Sequence, residues 1–339
     1  METKLLESTI ENIKTAGEII KKGGLVAFPT ETVYGLGANA LDEEAVRKVY
    51  EAKGRPSDNP MIVHIANEEG FSKLTDLMTE DIKKMIDAFW PGPLTMVVPA
   101  KEIIPRRTLG GLNTVAIRMP ESKIARDLIV ASKLPIAAPS ANLSGKPSPT
   151  TWQHVNDDMN GRIDAILIGP DSKVGIESTV VDMTGDTPMI LRPGIITKED
   201  IENALGKEIL LDPSLFKKPG EDFKPKAPGM KYKHYAPKAE MIVFQGEDEK
   251  VKTEIKKRKD VYIKEGKSVE VIFFDIDNPK LAAHDFFREL READKKNVDV
   301  ILAQALKSEG VGFSVMNRML KSCGYNIVEV TNNENCICK

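Results

Sequence analysis

Residues 42–65 read DEEAVRKVYEAKGRPSDNPMIVHI, a helix, a polar loop and a strand in one pass. Asp42 suits an N-cap, and Val46, Val49 and Tyr50 fall on one face of Asp42–Ala52, which predicts a helix. Met61–Ile65 is a short β-rich apolar run, which predicts a strand. Between them, Lys53-Gly54-Arg55-Pro56-Ser57-Asp58-Asn59-Pro60 sets two cations and three hydrogen-bonding side chains on a loop stiffened by prolines. A helix C-terminus carries partial negative charge, so an anion held here needs Lys53 and Arg55 themselves, with Gly54 turning the chain out of the helix. Taken alone, the stretch reads first as a solvated basic loop.

The same alternation extends outward. Leu25–Phe28, Leu94–Val98, Val115–Arg118, Ile136–Ala138, Ala165–Ile168 and Thr179–Asp182 read as further strands, and Thr79–Phe89 and Ser122–Ser132 as helices. Some strands follow one another too closely for a crossover helix, so the expected sheet is twisted and mixed. A helix with Thr197 as N-cap and Asp200 at its third position closes this unit near Leu205. From Leu211 to Pro237, prolines recur among lysines with no apolar period, which predicts a semi-rigid linker. Beyond it, strands at Met241–Phe244, Val269–Phe274, Asp299–Ala303 and Asn326–Val330 alternate with helices at Asp248–Lys257, Lys280–Ala293 and Phe313–Ser322. Strict alternation predicts a small doubly wound domain. The expected division is a catalytic domain over 1–210, a linker or lid over 211–239 and a second α/β domain over 240–339.

At 339 residues the chain has room for two cores. Lys+Arg 48 against Asp+Glu 51 leaves a net charge of -3, which disfavours a protein built to coat nucleic acid but allows a local basic cleft. No apolar run reaches membrane-spanning length, and Met1-Glu2-Thr3-Lys4 lacks a basic-then-apolar pattern, so the expectation is a cytoplasmic protein without membrane contact. Cys323, Cys336 and Cys338 form no disulfide framework. Nothing near the tail completes a four-ligand zinc set, so no protein metal site is expected.

Two further loops carry chemistry. Phe28-Pro29-Thr30-Glu31-Thr32-Val33-Tyr34-Gly35-Leu36-Gly37 follows the first strand with hydroxyls, a carboxylate and a phenol, then glycines that let another group approach the backbone. It lacks the Lys-Ser/Thr of a phosphate loop and the third glycine of a dinucleotide fingerprint, and reads equally as a tight turn. Pro139-Ser140-Ala141-Asn142-Leu143-Ser144-Gly145-Lys146-Pro147-Ser148-Pro149-Thr150 offers neutral donors and acceptors suited to orienting a nucleotide, while Ser148 and Thr150 also suit a cap of the next helix. All three loops are expected at carboxyl ends of strands, where α/β sheets gather ligands. His64 in its strand, Arg118 before Pro120, Glu177-Ser178-Thr179 and Arg192-Pro193-Gly194 each read alone as structural. Pro228-Gly229-Met230-Lys231-Tyr232-Lys233-His234-Tyr235-Ala236-Pro237 interleaves aromatics and cations where a spacer would be plain, and suits either a lid or a linker resting on the first domain.

Together, Lys53-Gly54-Arg55-Pro56, Ser140-Ala141-Asn142 and Pro29-Thr30-Glu31-Thr32-Val33-Tyr34-Gly35-Leu36 resemble the YrdC/Sua5 family of L-threonylcarbamoyladenylate synthases, and the linker and last domain resemble its longer Sua5 type. The resemblance implies a YrdC-like α/β domain and a Rossmann-like second one. It implies a reaction in which L-threonine, bicarbonate or CO2 and ATP give threonylcarbamoyl-AMP and pyrophosphate. A separate transferase would then modify adenosine 37 of tRNAs reading codons that begin with A. It implies a threonine site of Thr32, His64, Arg118, Ala138 and Ser178. The implied ATP site is Lys53, Arg55, Asn59, Thr114, Ser140, Asn142, Ser148, Arg192 and His234, with Lys53 and Arg55 as the catalytic cations.

In-line attack on the α-phosphorus builds charge on phosphoryl oxygens, so positioning and cations carry the catalysis. Arg118 suits a bidentate pair with the amino acid carboxylate. No Asp/Glu cluster forms a metal cage, so Mg2+ is expected to arrive on the phosphates. One rival reading is a carbamoyl-transfer maturation factor, which carries paired Cys-x-x-Cys modules not found here. The other is a tRNA or double-stranded RNA-binding module without adenylate-forming activity, disfavoured by the charge and by the missing aromatic stacking motif, with at most a weak tRNA contact.

Overall fold

The structure is a computed structural model, which describes residues 2–56, 59–216, 225, 234–331 and the backbone of 337–338. Its contacts divide the chain into two units, Met1–Ser144 with Ser148–Lys231, and Gly145–Pro147 with Tyr232–Lys339.

The first unit opens with β1 (Lys4–Glu7), α1 (Ile10–Lys21), β2 (Val26–Phe28), β3 (Gly35–Asn39), α2 (Glu43–Lys53) and β4 (Ile62–His64). It continues with α3 (Glu68–Leu74), α4 (Glu80–Phe89), β5 (Leu94–Pro99), β6 (Thr114–Arg118), α5 (Lys123–Ser132) and β7 (Ile136–Ala137). It ends with α6 (Trp152–Met159), β8 (Ala165–Ile168), β9 (Thr179–Asp182), β10 (Met189–Arg192), α7 (Lys198–Leu205) and β11 (Leu210–Leu211). Polar caps set the helix starts: Asp42 accepts from the N–H groups of Glu44 and Ala45, and Thr197 and Asp200 form a reciprocal capping box. Thr151, rather than Ser148 or Thr150, caps α6, which leaves Ser148 for other work.

The described strands lie in the order β1-β8-β2-β3-β7-β4-β6-β5-β9-β10-β11. Pairs β2·β8, β4·β6 and β5·β9 are parallel, whereas β2·β3, β3·β7, β4·β7 and β5·β6 are antiparallel, so the sheet is mixed as expected. Mixing corrects one expectation. The 53–60 loop enters the amino end of β4, and it meets the carboxyl end of β7 because those two strands run in opposite directions. Ile13, Ala16 and Ile20 of α1 and Ala125, Leu128 and Ile129 of α5 bury against Val26, Phe28, Ile136 and Leu167, each large side chain contributing about 2 kcal/mol.

The second unit contains β12 (Glu240–Gly246), α8 (Asp248–Lys264), β13 (Val269–Ile272), α9 (Pro279–Lys295), β14 (Val300–Gln304), α10 (Gly310–Ser322), β15 (Ile327–Val330) and β16 (Ile337–Cys338). Strand order is β13-β14-β12-β15-β16, the first four parallel and the last antiparallel. This is the doubly wound sheet read from the alternation, although its order differs from that of a dinucleotide-binding fold. Helix α8 runs a further seven residues past Lys257 to Lys264, since charged positions give no stop signal before Gly266. Most of the expected 211–239 linker, including Met230–Lys233, lies outside the described residues. No helix among the described residues is long and apolar enough to cross a membrane.

Candidate active site

Register builds the centre of the site. His64 of β4 stands opposite Arg118 of β6, Arg118 stands opposite Thr95 of β5, and Thr95 stands opposite Val180 of β9. Directly opposed residues share a sheet face, so His64, Arg118 and Thr95 form one polar row across three neighbouring strands. All three are buried. The Arg118 guanidinium reaches the β2–β3 loop, where Nη1 donates to Thr32 Oγ1 at 2.8 Å and Nη2 to Glu31 Oε1 at 2.5 Å, while Nε donates to Gly92 O at 3.3 Å.

Thr30 ties that loop. Its hydroxyl accepts from the N–H groups of Thr32 and Val33 and is placed to donate to Val33 O at 2.6 Å. The Thr30 and Thr32 hydroxyls lie 2.9 Å apart, and either can donate to the other. The Thr32 oxygen accepts from Arg118 Nη1, which sets it between the loop and the guanidinium.

The glycines after this loop do let a group approach the backbone, and at Gly37 that group is a side chain of this chain. A Cβ on Gly37 would lie 2.8 Å from Phe28 Cε1 and 2.9 Å from Ile136 Cγ2, so the group approaching this backbone is the ring of Phe28. That ring in turn meets His64 edge-on, with centroids 6.0 Å apart.

Burial and charge set the ionisation states. Burial pushes the Glu31 carboxyl up, but the charge and hydrogen bond of Arg118 outweigh it and hold the group below the ordinary carboxylate range. Burial, reinforced by Arg118, pushes the His64 imidazole down to about 3, so it is neutral at physiological pH. His64 Nδ1 is buried with no hydrogen-bond partner among the described residues, which leaves it open to a ligand.

A second group of residues gathers around the 139–150 loop. The Lys53 ammonium donates to Ser140 O at 2.5 Å and to Asn142 O at 2.7 Å, and the Ser140 hydroxyl donates to Asn142 Oδ1 at 2.6 Å. Lys53 thus braces the loop and places its charge directly beneath it. Ser148 donates to Glu177 Oε1 at 2.6 Å. The next residue, Ser178, contacts Thr95 Oγ1 at 2.7 Å and accepts from Arg192 Nη2 at 3.1 Å, while Arg192 Nε donates to Ser178 O at 3.1 Å. Consecutive residues Glu177 and Ser178 therefore connect the loop, Arg192 and the row on the sheet.

Asn59 is fully buried, and neither atom of its amide has a partner among the described residues. Its backbone carbonyl accepts from Tyr50 Oη at 2.7 Å. Arg55, which continues from the left-handed C-cap Gly54, is partly exposed. Ala138 donates its N–H to Ile62 O beside the row. Thr114 lies at the start of β6, at the other end of the strand from Arg118. His234 belongs to the second unit, where its ring packs on Tyr235.

Three residues absent from the expected set prove central: Thr95, Glu31 and Glu177. A threonine inside an apolar strand and a glutamate between two threonines were the signals on offer. Among the described residues, no group of three His, Cys, Asp or Glu side chains converges to hold a metal ion.

A family model described as "Telomere recombination", covering Sua5, YciO and YrdC proteins, matches residues 18–194. A second, "Threonylcarbamoyl-AMP synthase, C-terminal domain", matches residues 196–324. The threonylcarbamoyl-AMP synthase of Pyrococcus abyssi is 48% identical over 328 residues, spanning 94% of this chain and 96% of the relative. That of Bacillus subtilis is 43% identical over 343 residues, spanning 96% and 97%. The crystal structure of P. abyssi Sua5 complexed with L-threonine superposes with a TM-score of 0.92 at 46% identity, covering 98% of this chain and 100% of that one.

Proposed function

The chain belongs to the Sua5/YrdC family of threonylcarbamoyl-AMP synthases, and from that premise we propose how its first unit performs the synthesis. L-threonine lies against the row His64–Arg118–Thr95, with its carboxylate drawn to the Arg118 guanidinium and its ammonium or hydroxyl donating to Thr32. Glu31 fixes the guanidinium in the plane that such a carboxylate needs. Ala138 and Ser178 complete the threonine pocket.

ATP lies along Lys53, Arg55, Asn59, Thr114, Ser140, Asn142, Ser148, Arg192 and His234. Arg55 and Arg192 meet phosphate oxygens, and Lys53 lends its charge through the loop that it braces. The threonine amine, once neutral, adds to CO2, or to bicarbonate with loss of water; an N–C bond forms, a proton leaves, and a carbamate results. A carbamate oxygen then attacks the α-phosphorus in line, the bond to the β-phosphate oxygen breaks, and pyrophosphate departs. Charge grows on phosphoryl oxygens during that step, where prepositioned cations act best. In this reading Mg2+ comes with the phosphates, and no step is assigned to it. The product is the activated group that a separate transferase places on tRNA.

The observation that carries this reading is the Ser178 hydroxyl, shared between Thr95 on the threonine side and Arg192 on the nucleotide side. The test is pyrophosphate release from ATP by the full chain. Release that requires both threonine and bicarbonate supports the reading; release independent of threonine overturns it.

A further inference from the structure

Asn59, in the loop between α2 and β4, is fully removed from solvent, and neither its amide oxygen nor its amide nitrogen has a partner among the described residues. Folded chains rarely bury a polar atom unpaired, because water would have bonded it in the unfolded state. Two such atoms on one side chain point to a ligand. The backbone that carries them is clamped. Asn59 O accepts from Tyr50 Oη at 2.7 Å, and the same hydroxyl lies 3.3 Å from Arg107 O. Met61 N–H donates to Thr108 O at 3.0 Å, and a Cβ on Gly110 would lie 2.6 Å from Pro60 N and 2.9 Å from Asn59 C. The turn over Arg107–Gly110 therefore packs straight onto the Asn59–Pro60 peptide and fixes the amide before any ligand arrives.

The chemistry of the amide narrows that ligand. Its oxygen accepts and its nitrogen donates, side by side in one plane. Phosphate oxygens only accept, so they would leave the amide oxygen bare, and Lys53 and Arg55 of the same loop suit them better. Ribose hydroxyls rotate and do not share a plane. Adenine sets the N6 donor beside the N7 acceptor on one flat edge, which an asparagine meets with two hydrogen bonds. Asn142, the other amide of the nucleotide set, is already spent: its Oδ1 accepts from Ser140 Oγ at 2.6 Å, and its Nδ2 donates to Leu143 O at 2.9 Å.

We propose that Asn59 reads the N6/N7 edge of the adenine of ATP and sets the preference of the first unit for that base. This deepens the nucleotide site and rests on the reading that Asn59 belongs to it. The choice of edge follows from guanine. Beside N1, guanine offers an acceptor and a donor that the amide meets by turning over; beside N7, it offers two acceptors and strands the amide oxygen.

The experiment measures KM for ATP, 7-deaza-ATP, 2′-deoxy-ATP and GTP by pyrophosphate release, with threonine and bicarbonate present, in the full chain and in its Asn59→Ala and Asn59→Asp variants. The wild type is expected to show KM for 7-deaza-ATP and for GTP about tenfold or more above that for ATP. Asn59→Ala should raise KM for ATP about tenfold, leave KM for threonine within about twofold, and handle 7-deaza-ATP and ATP alike. Asn59→Asp still accepts from N6 but turns a second acceptor toward N7, so it should prefer 7-deaza-ATP, an inversion that a merely structural role cannot produce. Equal KM values for ATP and 7-deaza-ATP in the wild type, a comparison that needs no variant to fold, overturn the adenine contact alone. So does a 2′-deoxy penalty that vanishes in Asn59→Ala, which would put the amide on the ribose. An unchanged KM for ATP in Asn59→Ala, or an equal rise for ATP and threonine, overturns the placing of Asn59 at the nucleotide as well.

Discussion

His64 and Arg118 stand opposite one another on paired strands, and the guanidinium helps burial to keep the imidazole uncharged. A neutral ring adds no second positive charge beside the guanidinium, which Glu31 already pairs, and in the proposed threonine site it offers a neutral donor or acceptor alongside. It also leaves a signature in the pH dependence of stability.

The unfolded chain protonates this histidine near 6.5, whereas the folded chain refuses the proton until about 3. Stability is therefore fully present above 6.5 and falls as the pH drops through that window. Glu31, held below its ordinary value of 4.5, adds stability above that value and loses it only at lower pH, so it is silent between pH 7 and 5. Urea unfolding at pH 7 and pH 5 should show the wild type losing about 2 kcal/mol more than His64→Gln. Equal losses would show that His64 titrates normally.

Thr95→Val keeps the shape of the strand but removes one of the two partners of the Ser178 hydroxyl, leaving Arg192 as the other. Losing one such buried hydrogen bond costs about 1 kcal/mol. Titration with threonine should show KM rising about tenfold, with a smaller effect on ATP. An unchanged KM would place Thr95 outside the binding arrangement.

Lys53→Met withdraws the ammonium from two buried carbonyl oxygens and from the nucleotide loop. The value of kcat/KM for ATP should fall about a hundredfold or more. Lys53→Arg should fail to restore it, because a planar fork cannot converge on Ser140 O and Asn142 O as a compact ammonium does. Restoration by arginine would mean that charge alone matters at this position.

A Cβ on Gly194 would sit 2.4 Å from Thr179 N and 2.6 Å from Thr179 Oγ1. Gly194→Ala must push the turn away from Thr179, neighbour of Ser178, and should destabilise the protein by about 1–3 kcal/mol while raising KM for threonine. Calorimetry and the pyrophosphate assay together check it; a variant normal in both would show that the turn yields freely.

The sequence revealed its helices best where polar caps marked them, as at Asp42 and Thr197, and its strands where β-rich runs were bounded by turns. It hid β3, because Gly35–Asn39 reads as a glycine turn, whereas α1 carries its own signals, Thr9 as cap at its start and Lys21, Lys22 and Gly23 at its end. The residue types of the site were visible as loops and motifs, but Thr95 was not. Its importance depends on which residue of β6 it opposes, and register is a property of the paired strands rather than of either one. Glu31 was visible, yet its pairing with Arg118 spans 87 positions and follows from no local pattern. The mixed direction of β4 and β7, which brings the Lys53 loop to Ser140, is likewise a fact of topology.

Neighbouring strands each supply one member of the row His64–Arg118–Thr95, and β4 is only three residues long. Side chains alternate along a strand, so a slip of one position between β4 and β6 would send the imidazole to the far side of the sheet while most backbone pairing survived. Turnover per milligram is thus a direct assay of strand alignment: a preparation of the right size and helicity that has mispaired here would be inert, with no intermediate activity to disguise it.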